Sequence, residues 1–130
     1  MACAALLAVL GTSSIEAQGG GRAQAQGEVA YQSTVESYSK TLKPGMSRKE
    51  VESNLRSKKA RFQQTCCFEG RRTPDDLVKI GQESAPWYCN RTDVYVAFEF
   101  AGEERHPSSQ ARDSDKLERV SLLRWPQDCL

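Results

Sequence analysis

Cysteine is the residue type that most constrains how this chain can fold. Apart from Cys3, the chain contains Cys66, Cys67, Cys89 and Cys129. An even number of cysteines in a short exported chain is typical of structural disulfides, which stabilise a small core. Four cysteines allow three pairings, and a bridge between adjacent cysteines would be strained. We therefore predict that Cys66 and Cys67 each bond to one of the two distant cysteines, in either combination.

The N-terminal residues supply the export context that disulfides need. An apolar run over residues 1–10 is followed by small and polar residues, which is the shape of a signal peptide, although no Lys or Arg precedes the run. Cleavage after Ala17 or Ala25 would remove a leader, residues 1–25, and leave a single domain, residues 26–130. The predicted localisation is secreted or periplasmic. The alternative is a polar tail on a cytosolic protein.

Length and charge exclude several classes of protein. The chain has 130 residues, of which 38% are hydrophobic, and 18 basic against 17 acidic residues. This length fits one globular domain. The balanced charge gives no overall field that would attract a nucleic acid. No segment approaches the roughly 20 apolar residues of a spanning helix, so we expect neither nucleic-acid binding nor a transmembrane segment.

Two helices are predicted before the cysteines. Apolar residues at positions 31, 35, 38 and 42 lie on one helical face, and this helix should end before Pro44 and Gly45. The second helix begins with a capping box, in which Ser47 and Glu50 satisfy each other's backbone N–H groups. Six cations on and after this helix fit a solvated face, or alternatively a contact with an acidic partner or an anionic headgroup. They are Arg48, Lys49, Arg56, Lys58, Lys59 and Arg61.

The rest of the chain is predicted to form strands. Residues 62–68, 77–80, 94–100 and 117–125 carry the alternation or β-propensity of strands, and 102–115 form a long polar loop between the last two. In the strand 94–100, Tyr95 and Glu99 face away from the core side, on a half-buried sheet. The predicted fold class is α+β. Two short N-terminal helices pack on a small antiparallel sheet of three to four strands, braced by disulfides.

The sequence contains no pattern that indicates catalysis, a metal or a cofactor. His106 is the only histidine and lies in the polar loop without a nucleophile motif, and the cysteines lack the CxxC spacing of metal or redox sites. The acidic pair Asp75 and Asp76 fits a solvated loop. Trp87 lies two residues before Cys89, which favours packing around a disulfide, and the alternative is that Trp87, Tyr88 and Tyr95 form an exposed contact patch. We therefore predict no catalytic residue, no metal site, no cofactor and no enzymatic activity.

The start of the second helix resembles that of a known family. The segment LKPGMSRKEV, residues 42–51, with Leu55 one turn later, is similar to the L-x-x-G-M-[ST]-x-x-E-V-x-x-x-L pattern of the SmpA/OmlA family of BamE-type envelope domains. Such domains have two short helices followed by a three-stranded antiparallel sheet, as does, in tandem, the β-lactamase inhibitor protein. The resemblance implies that Gly45 makes a turn and that Met46, Val51 and Leu55 lie under the sheet.

The chain also departs from this family. No lipidated cysteine follows the leader, and LRSK, residues 55–58, stands where the family has L-G-x-P. A role in outer-membrane protein assembly is therefore not implied. What the resemblance implies is a class, a small envelope or secreted module that works by binding.

We predict a non-enzymatic module that binds a protein partner. The candidate contacts are Tyr95 and Glu99 on the sheet face and Arg105, His106 and Arg112 in the polar loop. The alternative is a secreted inhibitor or immunity-like protein that binds an enzyme through the 102–115 loop, for which a small disulfide-braced scaffold is well suited.

Overall fold

The computed structural model of the chain describes residues 21–68, 70–102 and 110–130, without the side chains of residues 21–26. Residues 1–20 of the predicted signal peptide lie outside the described residues. The predicted cleavage position after Ala25 lies within the first helix.

Two helices precede the sheet. α1 comprises Gly21–Thr41 and α2 comprises Arg48–Ser57. α1 begins ten residues earlier than its apolar stripe, because the preceding alanines and glutamines are good helix formers. The predicted capping box of α2 is confirmed. Ser47 Oγ accepts from the Glu50 N–H at 3.2 Å, and Glu50 Oε2 accepts from the Ser47 N–H at 2.9 Å. Gly45 makes the turn between the helices with a φ of 93°, a conformation that favours glycine.

Four strands form one antiparallel sheet in the order β1-β2-β3-β4. Their bounds are Gln63–Thr65 for β1, Asp75–Glu83 for β2, Arg91–Ala101 for β3 and Lys116–Gln127 for β4. The α+β class is therefore confirmed. β1 is shorter than predicted, whereas β2 extends by two residues into the segment that was predicted to be a loop. The pairing of β3 with β4 is the longest, and it joins the two strands predicted on either side of the polar loop.

One face of the sheet forms the main core with residues of both helices. Tyr38 of α1 meets Phe98 of β3 edge to face, with ring centroids 5.3 Å apart. Val51 and Leu55 of α2 are fully buried in the same cluster. The buried members of this core are Leu42, Val51, Leu55, Val78, Val96, Phe98, Phe100 and Leu117.

The opposite face of the sheet is also covered. Leu77, Tyr95 and Ala97 form a second buried cluster, against which Phe68 and Trp125 pack. The rings of Phe68 and Trp125 meet edge to face at 5.2 Å. The prediction of a half-buried sheet is therefore wrong for the centre of β3, because the connection after β1 and the end of β4 fold over it.

Candidate functional site

The most exposed aromatic side chains of the described residues lie in the connection from β2 to β3. Trp87 is 88% exposed and Tyr88 is 46% exposed. Their rings stand perpendicular to each other, with centroids 5.7 Å apart. The C-terminal Leu130 is almost fully exposed as well, and its N–H donates to the carbonyl of Tyr88 at 2.8 Å. We call these three residues, Trp87, Tyr88 and Leu130, the aromatic tip.

Covalent and hydrogen bonds hold the aromatic tip in place. Cys89 is disulfide-bonded to Cys129, so the connection is tied to the end of the chain. The Cys89 N–H donates to the carbonyl of Pro86 at 2.9 Å, which closes a turn around the two aromatic residues. The Asn90 N–H donates to the carbonyl of Gln127 at 3.0 Å. Exposed apolar side chains are thus presented on a backbone with little freedom.

The expectation that Trp87 packs around the disulfide is wrong. Pro86 and Trp87 lie beyond the last β2 pair, Glu83 with Thr92, and therefore outside the pairing of β2 with β3. The disulfide fixes the backbone of the connection rather than burying its side chains. In the sequence, a proline followed by an aromatic pair between two strands was the available signal for an exposed tip.

The cysteine pairing also differs from the prediction. Cys66 is bonded to Cys67, and Cys89 is bonded to Cys129. The reason is the length of β2. Thr65 lies opposite Asp75 at one end of β2, whereas Thr92 lies opposite Glu83 at the other end. At about 3.3 Å per residue the two ends of this strand are roughly 26 Å apart, far beyond the reach of a disulfide.

Two of the predicted contact residues lie on the covered sheet face. Tyr95 is 5% exposed and Glu99 is 7% exposed. Glu99 accepts from Arg119 Nη2 at 2.9 Å and from Ser121 Oγ at 3.0 Å, and it also pairs with Arg71. Burial alone would raise the pKa of Glu99, but these hydrogen bonds and charges hold it below its ordinary value of 4.5. Neither side chain is open to a partner in this structure.

The remaining predicted contacts belong to the polar loop. Arg105 and His106 lie outside the described residues. Arg112 is exposed, and its backbone N–H donates to Asp115 Oδ2 at 2.9 Å. The role of this loop in an inhibitor or immunity-like protein stays a prediction.

The sequence interpretation missed a buried charge cluster at the start of α2. Arg48 is only 1% exposed, and its Nη1 donates to Asp76 Oδ1 at 2.8 Å. Its Nε donates to Asp115 Oδ2 at 3.0 Å, and its guanidinium lies 4.0 Å from the ring centroid of Phe100. The predictions of Arg48 on a solvated helix face and of Asp75 and Asp76 in a solvated loop are therefore wrong.

This cluster joins three parts of the chain. Arg48 belongs to α2 and Asp76 belongs to β2. Asp115 is the residue directly before β4. Glu52, one turn along α2, is also buried and accepts from Gln64 Nε2 at 2.8 Å. Burial raises the pKa of Asp76 above its ordinary value of 3.8, and Glu52 raises it further. These two effects together outweigh the lowering of the pKa by Arg48. The cluster is closed to solvent, so we assign it to folding rather than to binding.

Comparisons with known proteins do not assign this chain to a family. No protein-family model, curated protein or solved structure matches it. The resemblance to the SmpA/OmlA family stays a prediction. Within residues 21–68, 70–102 and 110–130, no helix is long and apolar enough to cross a membrane. The same residues contain no group of three or more His, Cys, Asp or Glu side chains that could hold a metal ion.

Proposed function

We propose that this chain is a secreted or periplasmic, non-enzymatic module that binds a protein partner through the aromatic tip. One observation carries the proposal. Trp87 is 88% exposed on a connection whose backbone is fixed by the Cys89–Cys129 disulfide. Tryptophan and tyrosine are enriched in protein interfaces and among the residues that dominate binding energy.

The tip has two properties that favour binding. A tryptophan side chain buries about 150–250 Å² in a contact, which corresponds to a gross gain of roughly 4 kcal/mol or more. Because the turn and the disulfide already order the backbone, less conformational entropy is lost when a partner binds. Leu130, next to Tyr88 in space, enlarges the apolar surface. A fixed apolar surface fits a protein partner with a complementary pocket.

Two further features support the proposed location and class. All four cysteines of the predicted mature domain are in disulfides, which persist in oxidising compartments. The resemblance of residues 42–55 to the start of an envelope domain that works by binding points the same way. Tyr95 and Glu99 are buried, so the proposed contact is the aromatic tip and not these two residues.

Photo-crosslinking in the producing cell tests this proposal. Benzoylphenylalanine replaces Trp87, and in a matched control it replaces Val29, an exposed apolar residue of α1. We expect a discrete crosslinked protein from position 87 that is absent from position 29. The crosslink should weaken when Tyr88→Ser is added in the same chain. Equal adducts at both positions, or none at position 87, would refute the aromatic tip as the contact.

A further inference from the structure

The chain reverses direction directly after α2. Lys59 has a φ of 56°, in the left-handed region, and the Ala60 N–H donates to the carbonyl of Leu55 at 2.9 Å. This turn brings Phe62 back to the domain, where its half-buried ring packs against the main core. The residues around Phe62 are therefore held by the end of the helix.

A shallow groove of about 540 Å³ lies at this turn. It is lined by Arg56, Lys59, Ala60, Arg61 and Phe62. The guanidinium of Arg56 lies 5.4 Å from the ring centroid of Phe62. One aromatic and three cationic side chains thus line the groove.

The positive charge of the groove is largely uncompensated. Arg56 meets Glu52 at 3.5 Å, but the Arg56 side chain is still mostly exposed. Lys59 and Arg61 are exposed, and among the described residues neither forms an ion pair. Neighbouring cations repel each other, so an anionic group between them is favoured.

The groove continues into an open edge of the sheet. Phe62 is followed directly by β1, Gln63–Thr65, which among the described strands pairs with β2 alone, on one side. The outer side of this strand offers backbone N–H and C=O groups that can pair with an extended peptide. Charge, an aromatic side chain and a strand edge therefore lie side by side.

We infer that this groove binds an extended acidic segment of a protein. Its carboxylates meet Lys59 and Arg61, an apolar side chain rests on Phe62, and its backbone runs along β1. Arginine favours carboxylates because its planar fork donates two parallel hydrogen bonds. A bilayer is a poorer fit, because interfacial binding requires protruding apolar side chains, whereas Phe62 is half-buried and packs against the main core. The site does not depend on the aromatic tip.

Peptide selection tests the inference without a known partner. The folded, oxidised domain selects from a displayed library of random dodecapeptides, after depletion on the Lys59→Glu/Arg61→Glu variant. We expect enriched peptides with Asp or Glu beside an apolar residue. The affinity of a synthetic consensus peptide is then measured by fluorescence anisotropy. The affinity should fall at least tenfold for the double variant. It should also fall at least tenfold when Gln replaces the acidic residues of the peptide.

The matched control reverses two exposed cations elsewhere, in Lys40→Glu/Arg72→Glu, and should bind the peptide within about twofold of the original chain. Far-UV circular dichroism verifies that both variants fold. Enrichment of peptides without acidic residues, or an equal loss of peptide affinity in both double variants, would overturn the inference. So would saturable binding to vesicles of anionic phospholipid in the absence of any selected peptide, which would assign the groove to lipid headgroups.

Discussion

Replacing Asp76 by asparagine tests how charge is balanced in the buried cluster around Arg48. Asp76 Oδ1 accepts from Arg48 at 2.8 Å, whereas Oδ2 receives no hydrogen bond from the described residues. Burial and the neighbouring Glu52 raise the pKa of Asp76 despite Arg48. Because the pKa of Asp76 is raised to about 8, we expect Asp76 to be protonated at pH 6.

The loss in free energy of unfolding caused by Asp76→Asn distinguishes a protonated Asp76 from an ionised one. Asparagine closely matches a protonated aspartic acid in shape and charge, and it keeps an acceptor for Arg48. Asp76→Asn should then lower the free energy of unfolding by less than about 1.5 kcal/mol at pH 6. If Asp76 were the charged partner of Arg48, the substitution would break a buried ion pair and cost about 3–5 kcal/mol.

The same proton makes the stability depend on pH. Unfolded Asp76 ionises near its ordinary value of 3.8, whereas folded Asp76 keeps its proton to higher pH. The folded state therefore binds more protons above about pH 4, and the free energy of unfolding falls as pH rises, by at most about 1.4 kcal/mol per unit. Burial also raises the pKa of Asp75, to about 6, which adds a fall in the same direction up to that pH. In Asp76→Asn, only the Asp76 contribution is lost.

Urea denaturation at pH 5, 6 and 7, followed by circular dichroism, measures both effects. Asp115→Asn is the matched control, because it removes a carboxylate from the same guanidinium, and we expect it to cost about 3–5 kcal/mol. The stability of Asp76→Asn should change less with pH than that of the original chain. A cost above about 3 kcal/mol at pH 6, together with an unchanged pH slope, would refute a protonated Asp76.

Two further substitutions test the local constraints. Ser47→Ala removes the side chain that accepts from Glu50 at the start of α2 and should cost about 1 kcal/mol in urea denaturation, whereas no loss would mean that the cap is dispensable. Cys89→Ser with Cys129→Ser opens a bridge over a sequence separation of 40 residues, for which loop-closure entropy predicts a loss of about 4 kcal/mol. A loss below about 1 kcal/mol would show that strand hydrogen bonds hold the chain end alone.

Features with short-range causes could be predicted from the sequence. Ser47 and Glu50 are three residues apart, so the capping box needs nothing beyond its own turn. The alternation of residues 94–100 predicted β3 and its core side, since Val96, Phe98 and Phe100 all lie in the main core. These patterns fix the helices and strands because the backbone periodicity alone determines which side chains share a face.

The charged core and the disulfides could not be predicted in this way. Arg48 meets Asp76 and Asp115 at sequence separations of 28 and 67 residues. Nothing near Arg48 in the sequence distinguishes it from the exposed Lys49 that follows it. The pairing of Cys66 likewise depends on the length of β2, which extended beyond its apolar residues. Such contacts are set by tertiary structure, which local patterns do not contain.

The location of both proposed contacts follows from how the sheet is buried. β3 is buried on both sides from Thr92 to Phe100, so its faces serve folding and offer little surface to a partner. The apolar groups of the two proposed contacts lie instead where the chain reverses, at the exposed Trp87 after β2 and at the half-buried Phe62 after α2. Each reversal is fixed locally, by a disulfide or by a hydrogen-bonded turn. Because Trp87 is 88% exposed, replacing it should change the stability by less than about 0.5 kcal/mol. A loss of binding on substitution would therefore report on the contact itself and not on unfolding of the domain.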